Sequence, residues 1–491
     1  MIKRSSIAAL LLCSLSGPHA ASSATLVVNS AADTFDPNSD CSASCTLREA
    51  IELSSLNGKI TFDPAILPAV ISLEHGALVP YAVTIEGPGA SLLAIDAHLS
   101  DRVVHVPAFQ STVTISGVAL INGRTVGASG ADGAAASAAS GGKGADAFGG
   151  CILVDQNAPS TGPTVKLIGV TLRNCTAQGG VGGRGGSGIS STAKGGGTGG
   201  PGGAGGVGAG GAIYAGFLSD IRLEQTSIID AHAIGGAGGK GGDGGMGDPF
   251  LGVGGSGGVG GQGRGGALYL SVVKQFRATN TTVADADAQG GKGGNGGGGD
   301  PDFDLSHGGA GGNGGDAHGG LFVGYGGSLN VFLFATLGEG VVTPGLHGSG
   351  GRAKVAGIVG QDGAASVPAV QVVIPNPNAQ GLYPTYLVRS AVYAASAGPL
   401  CEGQGFLQAT DSFASDSSCA ATAVGDLDSW FKPLALASDV PAYLPRFGRA
   451  AIDATDCANV PGDLQDTPRP QGLACDIGAI EADYIFVGEF D

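Results

Sequence analysis

The sequence predicts an all-β chain wound as a parallel β-helix, with glycine-rich hairpins inserted at one corner of the solenoid. Three observations carry that prediction. Short runs of Val, Ile, Leu and Thr recur along the chain. A Gly-Gly pair followed by small and apolar residues recurs at 149–153, 210–214, 265–269 and 319–323. Between these lie paired segments that repeat Gly-Gly-X on both sides of a break, at 179–207, 235–263 and 290–315. Successive Gly-Gly pairs stand about 61, 55 and 54 residues apart. Subtracting the glycine segments leaves roughly 25 residues, about one solenoid coil.

The first element, 1–24, reads as an export signal. Lys3 and Arg4 precede a short apolar core at 7–15, and Ser22, Ser23 and Ala24 offer a small-residue cleavage site. Cys13 falls inside it. No later stretch is long and apolar enough for a transmembrane helix. Residues 25–122 form the N-terminal cap and first coils. Short strands are expected at 25–28, 60–62, 83–85, 92–95, 103–106 and 113–121. An antiparallel sandwich is the alternative for this stretch, disfavoured by scarce hairpin dipeptides. Within it, Thr46 and Glu49 have capping-box spacing, and Leu47, Ala50 and Ile51 share one helical face. A short helix there would cover the exposed end of the solenoid, which otherwise invites aggregation. Leu53 extends its apolar face.

Residues 123–352 are coils carrying the glycine-rich insertions. A Gly-Gly-X chain cannot build a side-chain core, but its period matches polyproline II, with three residues per turn and about 3.1 Å per residue. An arm of about 12 residues then reaches roughly 35–40 Å. Glycine edges let neighbouring arms approach and pair through their backbones. Such bundles resemble the polyglycine-II assemblies of some phage-tail tips and of a glycine-rich antifreeze protein. Disordered loops are the alternative, since glycine has the largest ordering entropy. A weaker pair of arms falls between 127 and 150, interrupted at 134–140. Residues 353–482 are C-terminal coils and a stapled cap, and 483–491 a short aromatic tail.

Glycine makes up 94 of 491 residues, and the formal charge is −17. That charge argues against nucleic acid and anionic membrane surfaces as partners. Beyond the signal, eight cysteines fall into near-neighbour pairs: Cys41/Cys45, Cys151/Cys175, Cys401/Cys419 and Cys457/Cys475. In an exported chain these read as disulfides; buried free thiols are the alternative. None has zinc-site spacing.

The stretch 45–51, Cys-Thr-Leu-Arg-Glu-Ala-Ile, resembles the motif of bacterial CSLREA-domain proteins, with Thr46 in place of Ser. Residues 60–63 and 85–96 resemble the coils that follow it. The Gly-Gly-Ala-Ile-Tyr motif at 210–214 resembles repeats of polymorphic outer-membrane proteins. The end, with 450–453, Arg469-Pro470-Gln471-Gly472 and 475–481, resembles the choice-of-anchor Q domain. These resemblances imply an exported right-handed β-helix. They supply no established activity and no catalytic residues.

Several chemistries can be weighed from the residues. Residues 141–148, with Asp146, fit a calcium β-roll nonapeptide; 238–245 with Asp243 and 311–318 with Asp316 fit less well. Calcium rolls need tandem copies, and the three-residue period explains these single ones. A polysaccharide lyase or hydrolase would need clustered carboxylates on a coil face. Glu224 and Asp230 near one strand are the nearest approach. His105, His232, His307, His318 and His347 are scattered without metal spacing. Trp430 and Phe431 could form a sugar platform, or a capping core contact. The reading is an exported, noncatalytic surface protein with an adhesive, binding or structural role and no cofactor. Its partner would be a glycan or another cell-envelope component. Candidate ligand contacts are the arm-tip residues Asp248, Phe250, Asp300, Asp302, Phe303 and Asp304, or a coil face. A polysaccharide-active enzyme and a calcium-binding repeat protein are the alternatives.

Overall fold

The computed structural model describes residues 25–54, 56–155, 161–191, 196–247, 252–299, 306–327, 329–352, 370–373, 385–393, 399–402, 407–436, 440–446 and 448–482. The expected export signal, the terminal tail and the arm tips with Asp248, Phe250, Asp300, Asp302, Phe303 and Asp304 lie outside them. The described strands form sheets of 18, 4 and 7 strands, and the ladders between named strands are parallel. The fold is a right-handed parallel β-helix, the hand that parallel crossovers take.

Alternation of side chains along each strand builds both the core and the outer face. Ile115, Leu167, Leu223, Ala278 and Phe332 stack inward in register, each at most 1% exposed. Phe276, Phe322 and Phe332 pack together in the core of the later coils, with ring centroids 5.2–5.8 Å apart. At two corners the chain turns through left-handed backbone. Gly117, Gly169, Gln225, Asn280, Phe334 and Arg389 stack at one, and Asn122, Asn174, Asp230, Asp285 and Glu339 at the other. The strand expected at 113–121 therefore breaks at Gly117, giving Thr112–Ser116 and Ala119–Ile121, and the chain breaks likewise at Gly169 between Thr164–Ile168 and Thr171–Gln178. Asn and Asp tolerate this conformation, and their amides ladder: Asn174 donates to Asn122 at 2.7 Å, and Asn122 to Asp96 at 2.9 Å.

The helix Leu47–Leu53 begins at Thr46, whose hydroxyl accepts from the Glu49 N–H while Glu49 accepts from the Thr46 N–H. Leu47, Ala50 and Ile51 are buried against the first coil, whereas Leu53 is 43% exposed. It lies off the buried face, so the expected extension of the apolar stripe through Leu53 does not occur. Disulfides join Cys41–Cys45, Cys151–Cys175, Cys401–Cys419 and Cys457–Cys475.

The Gly-Gly-X segments form one hydrogen-bonded bundle. Among the described residues there are five outgoing arms (127–133, 179–188, 235–244, 290–299, 345–351) and four returning ones (141–147, 196–208, 252–263, 308–317). The first glycine of each inner triplet donates to the X carbonyl of the next coil's arm, as Gly182 to Ala237 and Gly185 to Lys240, both 2.8 Å. The second donates to an arm running the other way, as Gly183 to Gly142 and Gly239 to Gly203, both 2.8 Å. Bonds recur every third residue in both directions, which is the polyproline-II period rather than the two of a strand. Outgoing arms make one layer and returning arms the other, with X side chains on the two outer faces.

Two glycines at each arm base have separate reasons. Gly210, Gly265 and Gly319 have φ of 58–62°, and the following Gly211 has no room for a Cβ, which would lie 2.5 Å from the His232 nitrogen. An aromatic stack outside the coil fixes the returning arms to it. Phe148 and Tyr214 lie 4.6 Å apart, Tyr214 and Tyr269 5.4 Å, packed with Val207 and Ala209. Burial pushes the Tyr214 hydroxyl up to about 12.

Candidate functional site

Three surfaces carry enough chemistry to consider. The first is a groove along one outer coil face. Its floor is the outward row Lys59, Thr84, Thr114, Lys166, Arg222 and Arg277, which continues in register beyond the groove through Val331 and Tyr386. One wall is the turn row with Asn57, Tyr81, Gln110, Gly162 and Lys274. The other is the C-terminal segment, where Gln225 donates to the Asp463 carbonyl at 3.0 Å and Asn280 to the Gly462 carbonyl at 2.7 Å. Adjoining cavities of about 480, 490 and 570 Å³ follow this face, the middle one lined by Arg222, Arg277, Asn280 and Val460 and by the carboxylates Glu224 and Asp466. Asp220 holds Arg222 through two oxygens, at 2.8 and 3.2 Å.

That C-terminal wall forms because the outer coil faces are partly apolar. Ile229, Ala284 and Leu333 point outward yet are at most 7% exposed, because Leu427, Trp430, Phe431, Tyr443, Val460 and Ile477 cover them. Trp430 and Phe431 are thus core contacts rather than a sugar platform. The wrap is locked by Arg469, which donates to Glu481 at 2.7 Å and to the Asp476 and Gly478 carbonyls, and stacks 4.2 Å over the Phe334 ring. Burial pushes Asp476 up to about 6, even though its oxygens accept from the Asp453 and Ala482 N–H groups.

The second surface is an acidic corner. Asp230, Asp285 and Glu339 occupy equivalent left-handed positions on successive coils. His232 bridges the Asp230 and Asp287 carboxylates, the former at 2.9 Å. Its bond to Asp287, with the charges of both acids, raises it to about 9. Tyr443 donates to Glu339 at 3.0 Å. Asp230 and His232 stand two residues apart in the chain; Asp287, 55 residues from His232, comes alongside only through coil register. Glu224 is exposed, beside Arg222 rather than in this corner. No group of three or more His, Cys, Asp or Glu suited to a metal occurs among the described residues.

The third surface is the bundle itself. Its outgoing face carries Asp132, Arg184, Lys240, Asp243, Lys292 and Arg352 at X positions. On the two middle returning arms the X positions are Thr198, Pro201, Ala204, Val207, Val253, Ser256, Val259 and Gln262, without a charge. Short polar X side chains reach X N–H groups on the neighbouring arm: Asp132 accepts from Arg184 and Asp146 from Val207, both 2.8 Å. Asp243 accepts from the Gly298 N–H at 2.7 Å, which with Lys240 and Arg184 holds it below the usual carboxylate range despite burial. Asp146 and Asp243, considered for calcium, are therefore occupied with arm-to-arm contacts.

The bundle also stops by design of its sequence. In inner arms a Cβ at the second triplet position would meet the preceding coil's arm, as at Gly183 against Ala131 and Gly186 against Ala134. The first arms have no predecessor, and there the second position is alanine at Ala128, Ala131, Ala134 and Ala145, with glycine kept at Gly142. At the far edge Pro344 takes a first position, where it has no N–H to leave unpaired.

No family model and no curated protein matches the chain. Two solved structures are similar. A springtail antifreeze protein from Granisotoma rainieri, a nine-helix polyproline-II bundle whose crystal waters match the ice lattice, is 22% identical over 49% of this chain and 96% of its own, with TM-score 0.14. Pectate lyase Pel9A is 14% identical over 93% of this chain and 96% of its own, with TM-score 0.28. The parallel β-helix is established by the strand register of the chain itself. No described helix is long and apolar enough to cross a membrane.

Proposed function

We propose that this is an exported, noncatalytic surface or extracellular protein of the CSLREA and choice-of-anchor kind, in which the β-helix holds the glycine bundle as a rigid contact platform. The observation that carries the reading is the difference between the two bundle faces. Both are equally regular, yet the middle of the returning face is uncharged with Val253 and Val259 exposed, while the outgoing face is charged. Depletion of charge at a patch centre is the compositional mark of a contact surface. A preorganised grid also loses little conformational entropy on binding. The segments that join these arms in the sequence carry Asp248, Phe250, Asp300, Asp302, Phe303 and Asp304, and on this reading they are further candidate ligand contacts. A glycan and cell-envelope binding screen tests this with three proteins: native, Val253→Lys/Val259→Glu, and one with the tips replaced by Gly-Ser. Binding retained by both variants would sink the platform reading.

The acidic corner favours a second reading, a polysaccharide lyase or hydrolase. Glycoside hydrolysis needs two carboxylates flanking the substrate, and Asp230, Asp285 and Glu339 supply stacked ones. In the structure, however, His232 and Tyr443 occupy Asp230 and Glu339. Release of reducing or unsaturated sugars, abolished by Asp285→Asn, would establish that reading. Calcium as a ligand of the repeats is tested by calorimetry at millimolar calcium.

A further inference from the structure

We infer that the coil-face groove is a binding site for a linear acidic polysaccharide, gripped by the stacked cations Lys166, Arg222 and Arg277. This goes beyond the bundle platform and does not depend on it. The three residues are in register on successive coils, and neighbouring strands of a sheet lie about 4.8 Å apart. Like charges directly opposite one another destabilise a sheet; Asp220 offsets Arg222 alone, so an anion lying along Lys166 and Arg277 would relieve the rest. A chain of net charge −17 places three of its few cations here, with Lys274 beside them on the groove wall.

The nearby carboxylates neutralise the run only in part. Asp220 pairs with Arg222, while Glu224 and Asp466, the latter accepting from Gln225, line the same cavity. Neither Lys166, Lys274 nor Arg277 has a carboxylate partner among the described residues; Arg277 reaches only Thr279, at 3.3 Å. Arg222 is pre-oriented, since its planar fork is fixed by both Asp220 oxygens. A further polar group awaits a donor. Asn280 lines the same cavity, is 5% exposed, and its Oδ1 has no partner. A buried acceptor left unpaired costs free energy that a ligand hydroxyl would recover. Hydroxyl donors and carboxylates spaced along one strand are the chemistry of a uronic-acid polymer. Sulfate esters on a sugar chain share the anionic part of it.

The groove is closed at one end. Val331, the next position above Arg277, packs beneath Cys457 and Val460 of the wrap. The ligand therefore lies along the helix axis, entering from the N-terminal coils across Thr84 and Thr114 and ending at Arg277.

The test is calorimetry of the full chain with three polymers of similar length: alginate for carboxylates, dextran sulfate for sulfates, and neutral dextran. Binding to an anionic polymer, weakened by salt, and none to dextran is expected. Arg277→Gln and Lys166→Gln should each reduce affinity about tenfold, the worth of one charge-assisted contact. Val253→Lys/Val259→Glu on the bundle should leave it unchanged, which separates this site from the platform. Thermal melts of the Gln variants at the native temperature exclude misfolding. Equal binding of dextran, affinity untouched by the Gln substitutions, or no binding to either polyanion at low salt would overturn the assignment.

Discussion

Substituting Gly258 by Ala tests the bundle most directly. Gly258 is a second-position glycine in the middle of a returning arm. Its N–H donates to the Gly239 carbonyl and its own carbonyl accepts from the Gly294 N–H, both at 2.8 Å. A Cβ there would lie 2.6 Å from the Gly203 carbonyl carbon and 2.9 Å from the Gly202 oxygen. Both neighbours are backbone of another hydrogen-bonded arm, so neither can rotate away. Relief requires the arm to move outward, which breaks these two bonds in a buried setting. At roughly 1–3 kcal/mol for each buried group left unsatisfied, and with about 1 kcal/mol recovered from the lower unfolded-state entropy of alanine, the local cost is about 3 kcal/mol. Amide exchange across 252–263 should then accelerate by roughly a hundredfold. The control is Ala131→Gly, at the same triplet position on the first arm, where no earlier arm stands. It should cost no more than about 1 kcal/mol. Hydrogen exchange read by mass spectrometry measures both. Native-like protection in Gly258→Ala, or equal loss in Ala131→Gly, would refute the packing argument.

Other outcomes follow from the fold. His232 is raised from 6.5 to about 9 by its carboxylates, so its contribution is complete below about pH 6.5 and lost as pH climbs through about 9. Asp476, raised from 3.8 to about 6, favours the folded state when protonated, so stability also declines as pH rises from about 4 to 6. Melting temperature against pH should fall across both windows, with His232→Asn flattening the upper step and Asp476→Asn the lower. Arg469→Met strands a Glu481 that is 1% exposed and should cost about 3–5 kcal/mol, read by urea unfolding with dye binding to the uncovered coil face. Tyr269→Ala removes the middle of the aromatic stack and should cost about 3 kcal/mol, with exchange rising at the arm bases before the coil core.

The legible part of the molecule was the part governed by local rules. Thr46 and Glu49 announced the cap because a capping box spans one helical turn. The coil strands were visible because alternation and β-branching are local, and the arms because a period of three needs only glycine spacing. The groove was not visible. Lys166, Arg222 and Arg277 are separated by more than fifty residues, and the lengths of the intervening arms decide which positions face one another. The acidic corner hid for the same reason. The interrupted stretch 127–150 looked like a degraded arm, yet its alanines are the edge of the bundle. Their meaning depends on there being no neighbour, which no local pattern states.

The sequence by itself therefore determined the coil, the cap helix, the near-neighbour cysteine pairs and the three-residue repeat, since each is fixed within a coil or an arm. Only the tertiary structure decided which X residues share a face, which cations stack into a ladder, and how the C-terminal segment returns to cover Ile229, Ala284 and Leu333. Those outcomes depend on coil-to-coil register. Register is set by the summed fit of inward ladders, as from Ile115 to Phe332, and not by any one residue.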